Sequence, residues 1–127
     1  MPGKRCPEPS DYLSEIQRDG KPLGADLVYR ETWQWLDQRG CSHFVAPRLI
    51  EAYAQAFARY VQCEQAISEF GLLGKHPTTG AAIASPFVAM SQSFGKQANV
   101  YWYEIDEIVR ATCTTDYAGT TPGEEVM

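Results

Sequence analysis

The chain has 127 residues, 44% of them hydrophobic and 21% charged, the make-up of one ordinary globular domain with a modest core. Its formal charge of -5 and pI near 4.9 argue against coating nucleic acid through bulk positive charge. No stretch approaches about 18 consecutive apolar residues, and the start, Met1-Pro2-Gly3-Lys4-Arg5-Cys6-Pro7, carries no apolar signal region, so neither a membrane span nor secretion is expected.

The charge is unevenly spread. Residues 1–103 hold ten basic and ten acidic side chains, whereas residues 104–127 set Arg110 against Glu104, Asp106, Glu107, Asp116, Glu124 and Glu125. The acidity belongs to the C-terminal end, and local basic patches remain open to the rest.

Residues 1–24 are rich in proline and glycine and read as a flexible arm, with a short helix over Asp11–Gln17 capped by Ser10. From Asp26 to Gln38 the spacing of Tyr29, Trp33 and Leu36 predicts an amphipathic helix ended by Gly40. Cys41 to Ala46 turns the chain, and Pro47 suits a first helical position because its missing N–H would have no partner there.

From Pro47 to Phe70, Ile50, Tyr53, Phe57, Tyr60 and Ile67 step by threes and fours with Glu64 as a charged interruption, beside a stripe of Leu49, Ala52, Ala56 and Cys63. Gly71 ends this arm. Leu72-Leu73-Gly74 and Ala81-Ala82-Ile83-Ala84 flank His76-Pro77-Thr78-Thr79-Gly80, which suggests a small β-hairpin or an ordered loop. Ser85-Pro86 then starts a second long helix to Thr112, in which Phe87, Phe94, Tyr101 and Ile108 recur every seven residues, interleaved with Ser91, Ala98, Ile105 and Thr112. Gly95 inside it points to the close approach of another helix. Beyond Thr112 periodicity is lost, so residues 113–127 read as an acidic flexible tail.

The expected fold is all-α: an N-terminal arm and short helix, then a long antiparallel helical hairpin, with residues 25–112 as its domain. At about 1.5 Å per residue the arms reach roughly 36 and 40 Å. Val88, Met90, Trp102 and Val109 add apolar surface beyond what two helices can cover on each other, so self-association is favoured over a purely intramolecular core.

Catalytic and metal signatures are sparse. Cys6, Cys41, Cys63 and Cys113 form no CxxC unit, Cys41-Ser42-His43 supplies two ligands at most, and a disulfide framework is not expected without export. His43 and His76 are single, and no phosphate loop of the GxxxxGK[ST] type occurs. No metal, no cofactor and no catalytic residue is assigned.

The ordered set of features resembles the small subunit of phage terminase, of the P27-like type, over about residues 3–112. The set comprises Pro2-Gly3-Lys4-Arg5, a helix with Trp33 and Leu36 closed by Gly40, Leu49-x-x-x-Tyr53-Ala54-x-Ala56-x-Ala58-Arg59-Tyr60, Ala66-Ile67, Gly71, Thr79-Gly80 and Ser85-Pro86. Two departures stand out: only Gly119-Thr120-Thr121-Pro122 answers the family's Gly-Leu-Thr-Pro-Ser-Ser-Arg-like end, and Pro47 stands where an acid is common. The resemblance implies a non-enzymatic packaging component in the host cytoplasm. Such a component forms a homo-oligomeric ring, recognises double-stranded viral DNA and delivers it to a large terminase subunit, which holds the ATPase and nuclease.

For DNA, the candidate contacts are Lys4, Arg5, Arg18, Lys21, Arg30, Arg39 and Arg48, whose weak phosphate contacts would be multiplied around a ring. For hairpin or ring packing, the candidates are Tyr53, Phe57, Tyr60, Ile67, Phe87, Phe94, Tyr101 and Ile105. A helix-turn-helix with Arg48 opening a recognition helix is a weaker reading, because Ala52, Ala56 and Tyr60 are packing rather than base-reading residues. A dimeric transcriptional regulator and a DNA-free helical adaptor are the alternatives, and subunit number separates both from a ring.

Overall fold

In a computed structural model the described residues are 5–113 and 122. They form three helices, α1 (Ala25–Gln38), α2 (Pro47–Phe70) and α3 (Pro86–Thr112), with a two-stranded antiparallel sheet of β1 (Leu73–Lys75) and β2 (Ala82–Ala84) between the last two. The N-terminal stretch has a single 3-10 turn at Asp11–Ser14, shorter than the helix expected there. Ser10 does not cap that turn with its side chain.

The helix ends follow from local chemistry. After α1, Gly40 takes φ 71 and donates to Asp37 O at 3.0 Å, while Cys41 N–H donates to Leu36 O at 3.1 Å. This pair of bonds satisfies carbonyls that the helix end would leave bare. Pro47 opens α2, and Gly71 at φ 89 closes it with a bond to Ile67 O. Ser85 Oγ accepts from Phe87 N–H at 3.3 Å to cap α3, ahead of Pro86.

β1 and β2 pair with Leu73 opposite Ala84 and Lys75 opposite Ala82. His76 Nδ1 accepts the amides of Thr78 and Thr79, and Gly80 sits at φ 72, so the tip of the long hairpin is a defined turn.

α2 and α3 run antiparallel in one register. Tyr53 meets Trp102 with ring centroids 5.6 Å apart, and Ser91 Oγ donates to Glu64 Oε1 at 2.8 Å. Phe70 stacks on Phe87 at 6.2 Å. A Cβ on Gly95 would come within 3.3 Å of the Tyr60 ring, so the glycine marks the close approach expected of it. Glu64 interrupts the apolar seam because it accepts from a serine on the facing helix. The fully buried line on α3 is Ser91, Ala98, Ile105 and Val109, whereas Phe87, Phe94, Tyr101 and Ile108 stay half-buried. Small residues let the helices approach, and the aromatics pack along the margins.

The core lies at the base of this hairpin. Tyr29, Trp33, Trp35 and Leu36 of α1 join Ile50, Ala54 and Ala58 of α2 and Ile105 and Val109 of α3. Leu13 is part of the same core and fully buried. The segment read as a flexible arm is therefore anchored to the helices at Ser10, Tyr12, Leu13 and Gln17, with most of its other residues exposed. Glu51, itself buried, accepts from Ser10 N–H (3.1 Å), Ser10 Oγ (3.0 Å) and Tyr12 OH (3.2 Å). Farther along α2, Gln17 Oε1 accepts from Arg59 Nη1 at 2.7 Å.

Candidate nucleic-acid interface

The seven basic candidates do not form one strip. Arg39 is only 7% exposed, its guanidinium lies 4.0 Å over the Trp35 ring, and Nη1 donates to Trp35 O at 3.0 Å. Burial over an indole removes it from the set that could reach a phosphate, which corrects the reading from sequence. Arg30 pairs with Glu8 at 3.3 Å, an exposed contact of little energetic weight that offsets its charge. Lys4 lies outside the described residues.

Arg18 and Lys21 are exposed on the turn joining the N-terminal stretch to α1, together with Glu15 and Asp19, so that turn is close to neutral. Arg5 and Arg48 are exposed at the opposite end, around the corner between α1 and α2. A cleft of about 240 Å³ there is lined by Arg5, Trp33, Ser42, His43 and Pro47, and Arg48 follows Pro47 in the first turn of α2.

The corner itself is a 3-10 turn, Ser42–Phe44, held by Phe44 N–H to Cys41 O at 3.1 Å and Ser42 Oγ to Asp37 Oδ1 at 3.0 Å. His43 is exposed, and Phe44, 51% exposed, lies against it with centroids 4.0 Å apart. Sequence reasoning set His43 aside as a turn residue and passed over Phe44. Neither belongs to a periodic pattern, so the only available signal was an aromatic beside a histidine between two helices.

Of the packing candidates, Ile105 is fully buried, while Tyr53, Tyr60, Ile67, Phe87, Phe94 and Tyr101 are half-buried and Phe57 is exposed. Towards the tip, Phe70, Leu72, Leu73, Ile83 and Met90 are exposed. A groove of about 550 Å³ runs between Arg18, Cys63, Phe70, Phe87 and Met90.

Burial alters the ionisation of several groups near the core. Tyr29 is pushed up to about 12, mainly by burial and secondarily by the nearby Cys6 and Glu51, and its hydroxyl has no partner among the described residues. Tyr12 is raised by burial and then by Glu51, whose charge and hydrogen bond both favour the neutral phenol. Among the described residues no group of three His, Cys, Asp or Glu is placed to hold a metal ion. No described helix is long and apolar enough to cross a membrane.

The profile of one family, described as phage terminase, small subunit, matches residues 25–105. No curated protein and no solved structure matches the chain. The matched stretch begins at the first residue of α1, crosses α2 and the β-hairpin, and ends within α3 at buried Ile105. With well over half of its length matched, the chain belongs to the phage terminase small-subunit family.

Proposed function

We propose that this protein is the genome-recognition component of a phage DNA-packaging machine, of the P27-like type. It assembles into a ring, binds double-stranded viral DNA, and hands that DNA to a large subunit carrying the ATPase and nuclease. The family match across all three helices supports this reading most strongly. The exposed apolar side chains of the hairpin tip and the half-buried aromatics along α2 and α3 supply surface for contacts between subunits. Of the basic candidates, Arg5, Arg48, Arg18 and Lys21 remain for DNA, few enough that binding depends on repetition around an assembly. No catalytic residue is assigned to this subunit, and the chemistry falls to its large partner.

Native mass of the purified chain is the first test. A closed assembly well above a tetramer is expected, and it should bind duplex DNA with an affinity that falls steeply as salt rises. A monomer or dimer that stays so with DNA and large subunit present would overturn the ring.

A further inference from the structure

We propose that the corner between α1 and α2 is where each subunit holds duplex DNA. Arg5 and Arg48 meet phosphates, and Phe44, backed by His43, presses against the sugar and base edge between them. This inference rests on the packaging reading above and narrows it to one surface.

Three observations converge on this corner. The first is charge. Residues 38–50 contain no Asp or Glu, although the whole chain carries a net charge of -5. The two acids that flank this stretch are both engaged within the fold: Asp37 accepts from Ser42, and Glu51 accepts from Ser10 and Tyr12. Elsewhere the described N-terminal cations are offset or buried. Arg30 pairs with Glu8, Arg39 lies over Trp35, and Arg18 and Lys21 share a turn with Glu15 and Asp19.

The second is the exposed aromatic. Phe44 leaves half of its surface in water at a turn whose neighbours Cys41, Ser42 and Val45 are all buried. Its ring is nonetheless held, because His43 lies 4.0 Å away and the 3-10 turn fixes its backbone. A water-facing aromatic on the same corner as two exposed arginines suits a nucleic acid, which offers phosphate to the cations and an apolar sugar and base edge to the ring.

The third is shape. The cleft of about 240 Å³ places Arg5 and His43 on its lining, with Trp33 and Val45 below, and opens beside Pro47 at the start of α2. Among the described residues no acidic side chain lines it. Arg48 is in the first turn of the same helix, and that turn also contains no acidic residue. Phosphate approaching there meets positive charge from side chains on two elements.

The test uses the full chain and a fluorescent duplex, with affinity measured across a range of salt. Each phosphate contact removed should flatten the slope of log K against log salt by roughly 0.9 per engaged subunit, so Arg5→Gln with Arg48→Gln is expected to flatten it markedly. Phe44→Ala should weaken binding about ten-fold, in the range of an aromatic contact with a base, while leaving the slope unchanged. All three positions are exposed, so native mass and melting should match the parent. Lys96→Gln, an exposed site on α3, should leave affinity and slope as they are. If the Arg5/Arg48 and Phe44 variants bind duplex like the parent, the corner is wrong and the packaging reading stands. If the assembled parent binds no duplex at all, both fail.

Discussion

The two halves of the long hairpin are built alike and finished differently. At the base, α1 and the stretch around Leu13 cover α2 and α3, and Tyr29, Leu36, Ile50, Ile105 and Val109 are fully buried. At the tip, the same two helices pack mainly on each other and a three-residue strand pair, and Phe70 and Leu73 remain 65% and 67% exposed. The reason is length. α1 has 14 residues, roughly 21 Å of helix, and cannot follow an arm of roughly 36 Å to its end. Stability is thus concentrated in the base, while the tip keeps apolar surface available for other molecules.

Replacing Ile105 by Ala should produce the largest loss, about 2 to 5 kcal/mol in urea unfolding, because a fully buried side chain leaves a cavity that the base cannot close. A loss under about 1 kcal/mol would show that the base is not the tight half. Glu51→Ala comes next, since it strands the three donors that fasten the N-terminal stretch, at about 1 to 3 kcal/mol. If amide exchange of residues 10–14 does not quicken as well, that stretch is held by Leu13 alone.

A smaller effect is expected from pH. The folded-state value of Tyr29, about 12, lies above its ordinary 10.0, so its contribution is intact below about pH 10 and drains as pH rises towards 12. Tyr29→Phe should lose less stability than the parent between about pH 10 and pH 12, and it should be no less stable at neutral pH because the hydroxyl has no partner among the described residues. Equal alkaline losses would show that the phenol is not the group responsible. The smallest change in unfolding free energy, within about 0.5 kcal/mol, is expected for Phe70→Ser with Leu73→Ser at the tip. The same variant should lower the native mass, and a full-sized assembly would show that the tip faces no second copy.

Much of this division was open to sequence reasoning. The bounds of α2 and α3 follow from Pro47, Gly71 and Ser85-Pro86, because caps and prolines act on adjacent backbone. Apolar runs flanking a turn-rich segment suggest a β-hairpin or an ordered loop, and the strand pairing selects the hairpin. The packing of residues 10–24 was hidden, since proline and glycine report an absence of regular structure and say nothing about contact. Leu13, the Glu51 carboxylate and the Arg59 bond to Gln17 do the fastening, and all three depend on residues far apart in sequence. Arg39 was misjudged for a related reason: position in the chain cannot distinguish a guanidinium over a buried indole from one in water. His43 was set aside and Phe44 passed over because a candidate site made from a single turn and a residue such as Arg5, distant in sequence, leaves no repeat to find. The acidic tail expected over 113–127 lies almost wholly outside the described residues.

The turn at the hairpin tip bears on how copies of the chain would meet. His76 N–H bonds Ala81 O at 2.8 Å and Ser85 N–H bonds Leu72 O at 2.8 Å, so α3 is folded back onto the α2 of its own chain by a short, internally bonded connection. Each chain therefore completes its core alone, and exchanging helices between neighbours would require breaking that turn first. If the protomer's folding does not depend on its neighbours, then it should be independent of concentration, and dilution of any assembly should release folded subunits, which far-UV circular dichroism and native mass across a dilution series would check.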